Sequence, residues 1–334
     1  MSDLSIPESY LEQITENYIS ESKVNDILQH YDDEYDEGVV IPAKNDVFKA
    51  LELTKFEAVR VVILGQDPYP NAENAMGLAF SSRSKVRPPS LKNIIKELKC
   101  EYNSFQDNGG NDLSYWANQG VLLLNTILTF KPSESDPKKN LHKSDKKKWK
   151  DITDAIIRAL DDYSKKERKP IVFMLWGEDA CITGCRTLLP KSNEYRLVLT
   201  ATHPSEQGKR EDSRCAKKFE DCGHFKKAND FLVKYGVPPI DWSVINLKEC
   251  KRLLQDKLLI LEHCWGSQEN VVKLIEECKN LLDSNKPDNI KICINILYRE
   301  FENHFKDGEL LSKMSDLIKD YKIARLTPKD FTSK

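Results

Sequence analysis

Asp67, Asn125 and His203 each lie just beyond an apolar run: Val61-Val62-Ile63-Leu64, Val121-Leu122-Leu123-Leu124, and the stretch 197–201. A carboxylate so placed can stabilise growing positive charge and take a proton from water. An asparagine amide offers one donor side and one acceptor side, enough to read a complementary polar edge. A histidine can give a hydrogen bond to an oxygen that is becoming negative. Taken singly, each has a plainer reading, because an aspartate before Pro68 and a histidine before Pro204 are common turn residues and an asparagine can simply end a strand.

The elements that must hold these residues follow from periodicity. Strands are expected at 59–64, 121–124, 171–176 and 196–200, and helices at 90–99, 149–162 and 216–235. Strand and helix alternating at such intervals argue for a parallel sheet with helices on both faces. Ligands of such sheets bind beyond the carboxyl ends of the strands, where Gln66, Asp67, Asn125 and His203 collect. An acidic amino-terminal segment, 1–37, precedes this core; its amphipathic stretch 24–30 reads as a helix and its DDEYDE run, 32–37, as a solvated loop. From about 246 onward glycines thin out, and helices are expected at 247–263, 269–283, 288–305 and 309–322. That extension, 246–334, reads as an all-α packing or partner-binding module attached to a domain spanning 1–245.

The 334 residues carry a formal charge of −2, so any polyanionic partner must meet a local cationic patch rather than a basic chain. The nine cysteines have no disulfide-rich layout and no zinc-finger spacing, which reads as reduced thiols without a metal. The start, MSDLSIPESYLEQ, lacks a basic segment followed by an apolar core, and no apolar run reaches about 18 residues. A soluble monomer of the cytoplasm or nucleus, without membrane contact, is expected.

The motifs in order resemble the family-1 uracil-DNA glycosylases. They are Gly65-Gln66-Asp67-Pro68-Tyr69 with Gly77-Leu78-Ala79-Phe80-Ser81, then Trp116-Ala117-Asn118-Gln119-Gly120 leading into Asn125, then His203-Pro204-Ser205. Pro88-Pro89-Ser90-Leu91, His142-Lys143 before Trp149, Leu175-Trp176-Gly177, Cys222-Gly223-His224-Phe225 and Pro239-Ile240-Asp241-Trp242 fall in the same order. The resemblance covers roughly residues 8–245 and leaves the helical extension unmatched. It implies a three-layer α/β/α fold around a central, mostly parallel four-stranded sheet, and an enzyme that flips uracil out of DNA, hydrolyses its N-glycosidic bond and so begins base-excision repair.

By the same resemblance, Asp67 orients water and stabilises the oxocarbenium-like sugar, and His203 donates to uracil O2. Asn125 pairs with the uracil edge, Phe80 stacks on the ring, Tyr69 excludes the thymine methyl, and Gln66 adds a loop contact. Ser81, Pro88, Pro89, Ser90, His142, Ser205, Gln207, Lys209 and Arg210 are the implied DNA contacts, with Arg83, Lys85, Arg87 and the lysines of 138–148 as cationic neighbours. None of these roles requires a metal or diffusible cofactor. Two positions depart from the family pattern: Pro70 replaces its usual histidine, and Glu206-Gln207-Gly208 replaces Pro-Leu-Ser, placing Gln207 at the intercalating leucine. Both single strands and duplexes are expected substrates, with flipping from the duplex weakened and uracil in single strands preferred. Retuning to another or a modified pyrimidine, or service as a replication accessory with reduced catalysis, are the alternatives.

Overall fold

The computed structural model describes residues 4–102, 105, 107, 109–143, 146–188, 192–205 and 218–244, and in the extension 255, 258, 259, 262 and 269–283. The chain divides into two compact units, Met1–Asp107 with Asn111–Val244, and Asn108–Gly110 with Ile245–Lys334.

In the first unit the order is α1 (Glu8–Asn17), α2 (Glu21–Glu37), α3 (Lys49–Leu53), β1 (Val61–Gly65), α4 (Pro89–Glu101), α5 (Ser114–Ala117), β2 (Val121–Asn125), α6 (Lys146–Glu167), β3 (Ile171–Trp176), α7 (Glu178–Thr187), β4 (Arg196–Ala201) and α8 (His224–Lys234). The four strands form one sheet in the order β2-β1-β3-β4, every pairing parallel. Successive side chains of a strand point to opposite faces, yet β1, β2 and β3 are buried at every position. Both faces must therefore be covered, the arrangement in which unbroken Val/Ile/Leu runs are stable. β4, at the edge, is half-buried over most of its length.

Parallel pairing puts all four carboxyl ends on one rim. Gly65 pairs in register with Asn125, and Trp176 with Ala201. The chain leaves β1 for β2 on one side and then returns across β1 to β3 on the other. The crevice at that reversal is the expected ligand position of an open parallel sheet.

The acidic run 32–37 is not a solvated loop, because α2 continues to Glu37. Its buried stripe Val24, Ile27, Leu28 and Tyr31 keeps helical spacing, and Tyr35 extends it by donating its hydroxyl to Pro42 O at 2.7 Å. The acids are matched by distant lysines, Asp32 with Lys44 at 2.6 Å and Glu34 with Lys131 at 2.9 Å. Tyr31 stacks on Trp149 of α6, with centroids 4.2 Å apart and planes within 10°, and so locks α2 behind the rim. An aromatic pair of this kind contributes about 0.5–1.5 kcal/mol beyond its buried area.

The helix expected over 216–235 is α8, beginning only at His224; residues 206–217 lie outside the described residues. The first turn of α8 is satisfied from α4, where Glu97 accepts from Asp221 and Gly223 N–H and Glu101 from Phe225 and Lys226 N–H. Cys181 is disulfide-bonded, against the expectation of reduced thiols throughout, whereas Cys100, Cys185 and Cys222 are free. Among the described residues, no helix is long and apolar enough to cross a membrane.

In the second unit, α9 (Glu269–Asp283) buries Ile275 and Cys278 one turn apart, and Lys279 pairs with Glu262 at 2.7 Å. The helices expected at 288–305 and 309–322, and most of 247–263, lie outside the described residues.

Candidate active site

Two loops leave β1 and β2 side by side and are tied together. Thr126 N–H donates to Gly65 O at 3.1 Å, while Ile127 N–H and the Thr126 hydroxyl both reach Gln66 O, at 3.0 and 2.9 Å. Gly65 is needed here for space. A Cβ at that position would stand 2.3 Å from Asn125 Oδ1, inside any real contact, so only glycine admits the amide at the end of β2. Asn125 is buried, with only 8% of its surface exposed.

The chain beyond Asp67 turns back on itself. Tyr69 donates its hydroxyl to Phe80 O at 3.1 Å, and burial pushes its pKa above the ordinary value, so it remains a neutral donor near pH 7. Phe80 has φ +63°, a conformation costing an ordinary side chain on the order of 1–3 kcal/mol unless its surroundings enforce it. They do so through the Ala79 N–H bond to Leu123 O at 3.0 Å and through Tyr69. The strained backbone aims the Phe80 ring between Trp176 and His203, at centroid distances of 5.5 and 5.7 Å.

His203 follows β4 and packs on Gly177, whose φ is +103° and where a Cβ would lie 3.2 Å from His203 Cβ. The backbone N–H of Ser205 donates to His203 Nδ1 at 3.1 Å, with Ser205 Oγ 2.9 Å away. A backbone amide can only donate, so Nδ1 carries the lone pair and the neutral ring keeps its proton on Nε2. The turn is held to α4, where Asn93 donates to Pro204 O at 2.6 Å.

Asp67 Oδ2 accepts from Asn140 Nδ2 at 3.2 Å. Gln66 turns its side chain to Asp179, which also lies 3.6 Å from Lys150. The polar side chain of Gln66 thus braces α7, and its backbone carbonyl holds the β2 exit.

The implied DNA contacts divide. Pro88 is the N-cap of α4 and Pro89 its first residue, so Pro-Pro-Ser forms a helix start with Ser90 in its first turn. Ser81 does not belong to a DNA surface: it is fully buried, donates to Met76 Sδ at 3.0 Å and accepts from Leu113 N–H at 2.8 Å. His142 is likewise internal, 3% exposed, with Nδ1 2.7 Å from Thr129 Oγ1 and Nε2 2.7 Å from Glu34. Trp149 donates to that same threonine oxygen at 2.7 Å, so the hydroxyl joins both rings. Burial lowers the His142 pKa and the Glu34 carboxylate only partly opposes this, so the ring is neutral. Arg83 and Arg87 form bidentate pairs with Asp46 and Asp107, every contact 2.7 Å, and Arg87 also donates to Asn111 at 2.9 Å. Gln207, Lys209 and Arg210 lie outside the described residues.

Residues 53–233 match the Uracil DNA glycosylase superfamily, more than half of the chain. The chain belongs to this superfamily. Among its relatives, the uracil-DNA glycosylase of Agathobacter rectalis is 40% identical over 222 residues, covering 66% of this chain and 89% of that protein. That of Campylobacter curvus is 42% identical over 212 residues, covering 63% and 82%. The crystal structure of mimivirus uracil-DNA glycosylase superposes with a TM-score of 0.58 at 22% identity, covering 71% of this chain and 87% of that one. That last likeness bears on the fold alone. The superfamily match and the parallel four-stranded sheet agree on the architecture, and the extension lies beyond the match.

Sequence patterns did not single out Asn140, Thr129 or Asp179. The nearest signal was His142, two residues beyond Asn140.

Proposed function

We propose that the chain is a uracil-DNA glycosylase that hydrolyses the bond between uracil and deoxyribose in DNA and thereby starts base-excision repair. The observation that carries this reading is the meeting of Phe80 and His203, 5.7 Å apart, over the rim that also holds Asp67 and Asn125. The 40–42% identity to proteins named uracil-DNA glycosylase supports it.

A base within the duplex is out of reach, so the target nucleotide is extruded into the crevice. There Phe80 stacks on the ring and Asn125 pairs one donor and one acceptor with the uracil edge, an arrangement cytosine mismatches. Tyr69, tied to Phe80 O, stands where a thymine methyl would intrude. As the C1′–N1 bond breaks, its electron pair leaves with uracil. The Nε2–H of His203 donates to O2 as charge gathers there, and Asp67 stabilises the positive sugar. Water then adds at C1′ and gives its proton to Asp67. Water is the nucleophile and no amine is required, so the activity is monofunctional and leaves an intact strand with an abasic site.

In this reading the start of α4 faces the phosphates together with Ser205: Ser90 offers a backbone N–H and a hydroxyl, while Pro88 and Pro89, which have no N–H, shape the approach. The exposed Lys138 and Lys139 add charge, and Gln207, Lys209 and Arg210 continue the surface in sequence. The unit from Ile245 onward takes no part in the chemistry and serves as a partner-binding module.

Incubating the protein with oligonucleotides carrying uracil, thymine or cytosine tests the proposal. Free uracil should appear from single- and double-stranded substrates, and strand breaks only after alkali treatment. Release of another base in preference to uracil, or no release, would overturn it.

A further inference from the structure

We propose that Asn140 is a positioning residue that holds the Asp67 carboxylate in its working orientation. The inference rests on the reading of Asp67 as the catalytic carboxylate. It adds a residue to which neither the motifs nor the superfamily match assigns a role.

Asn140 is 3% exposed and its amide is fully engaged. Oδ1 accepts two backbone N–H bonds, from Lys131 and His142, both at 3.0 Å. Nδ2 donates to Thr129 O at 3.1 Å and to Asp67 Oδ2 at 3.2 Å. Because two amide hydrogens must meet an oxygen, the backbone bonds fix which end of the side chain is which. The end turned to Asp67 is therefore a donor. A neutral donor fixes rotation of the carboxylate and favours its ionised form, without contributing a counter-charge that would weaken its pull on a cationic sugar.

The frame behind Asn140 is stiff. Pro132 and Asn140 form an antiparallel bridge, Leu141 N–H donates to Lys131 O at 2.8 Å and Ser133 N–H to Lys139 O at 3.1 Å, so 131–141 is a pinned hairpin. Lys131 is anchored on Glu34 of α2, and His142 lies between Thr129 and the same glutamate. Hairpin closure alone accounts for the Oδ1 bonds and for the bond to Thr129 O. The bond to Asp67 is additional and crosses 73 residues of sequence to the β1 exit. It also links the hairpin bearing Lys138 and Lys139 to the catalytic loop.

The test compares wild type with Asn140→Asp and Asn140→Ala in the full chain, reading single-turnover uracil release across pH, affinity for uracil-containing DNA, and melting temperature. Asn140→Asp keeps the size of the side chain and the acceptor for Lys131 and His142 N–H, but sets a second carboxyl against Asp67. Among the described residues, the charged or titratable groups bonded to the Asn140 frame are Lys131 and Glu34, matched to each other, and the neutral His142; all three persist in the variant. The pair must then share a proton, so the acid limb of the rate profile should move to higher pH by about one unit or more. The rate at neutral pH should fall at least about tenfold, and DNA affinity should stay within about threefold. Asn140→Ala should lose rate and move the limb upward by less than Asn140→Asp does, since it removes one donor to the carboxylate without adding a second acid. If Asn140→Ala does not fold, the isosteric variant alone decides. Asp67→Asn is the control for the underlying reading: should it remain active, the assignment of Asp67 is wrong. If Asp67→Asn is inactive while Asn140→Asp keeps both the wild-type rate and the wild-type limb, Asn140 only closes the hairpin and the inference fails.

Discussion

Gly65 and Asn125 are register partners at the ends of β1 and β2, and the amide of one occupies the space that a side chain on the other would fill. Adding a methyl group at Gly65 would bring carbon to 2.3 Å from Asn125 Oδ1 and 3.0 Å from Ala79 Cβ. Both neighbours sit on a close-packed rim, so the amide has to rotate or shift. Gly65→Ala should therefore lower uracil release on the order of 100-fold, the cost of misplacing a reading group by about 1 Å. Single-turnover rates measured alongside thermal melting check this: a folded variant of wild-type rate would show that the amide has room after all.

The tautomer of His203 yields a contrast between neighbouring residues. Asp67→Asn and His203→Ala should each slow uracil release by orders of magnitude with DNA binding little changed, because both side chains act mainly on the transition state. Ser205→Ala removes a hydroxyl but keeps the backbone N–H that fixes Nδ1 as acceptor at 3.1 Å. Its rate should drop only a few-fold, on the scale of one neutral hydrogen bond of about 1 kcal/mol. A loss in Ser205→Ala as deep as that in His203→Ala would mean that the hydroxyl, not the amide, sets the ring.

The positions of Asp67, Asn125 and His203 were legible because each ends or closely follows a strand built on an apolar run, a local signal that parallel pairing turns into one rim. What the sequence hid are pairings across long separations. Ser81 sits in a motif loop, but its hydroxyl is taken by Leu113 N–H, 32 residues on. Arg83 and Arg87 count as free cations in a charge pattern until the fold brings Asp46 and Asp107 against them. The acidic end of α2 reads as loop until Lys44 and Lys131 arrive. Asn140 escaped for the same reason, since its role depends on the register of a hairpin that no periodicity marks.

Glu101 gives the folded chain a pH signature. Burial, opposed by the N–H groups of Lys226 and Phe225 and reinforced by nearby Glu97, raises its pKa from 4.5 to about 7. Between those two values the folded state holds a proton that the unfolded chain has lost, so stability should fall as pH rises through this window and level off above it. The melting temperature should thus be lower at pH 8 than at pH 5, and Glu101→Gln, which retains an acceptor for the first turn of α8, should flatten that difference. Parallel pH dependence in the two proteins would remove Glu101 as its source.

Truncation near residue 246 separates the two units. The first unit holds the whole sheet and every assigned catalytic and uracil-reading residue, so the shortened chain should fold and release uracil within about threefold of the full rate. Aggregation or a much larger loss would show that the extension completes the domain.

Tyr69 is where discrimination against thymine should be set. Its ring is held by the hydroxyl bond to Phe80 O, so the residue that would block the methyl is tied to the residue that would stack on the base. Two substitutions part these effects. Tyr69→Ala removes the ring and opens space for a methyl; because one methyl-sized difference in a pocket corresponds to roughly 10–200-fold, thymine release should rise from background into measurable range while uracil release falls. Tyr69→Phe keeps the ring but drops the bond that restrains Phe80 in its positive-φ conformation. It should still reject thymine, yet lose uracil activity several-fold as Phe80 gains freedom, a cost near that of one buried hydrogen bond of about 1 kcal/mol. Base-release rates on matched uracil and thymine oligonucleotides decide between them. If Tyr69→Phe admits thymine as readily as Tyr69→Ala, selectivity comes from the hydroxyl rather than from the ring's bulk.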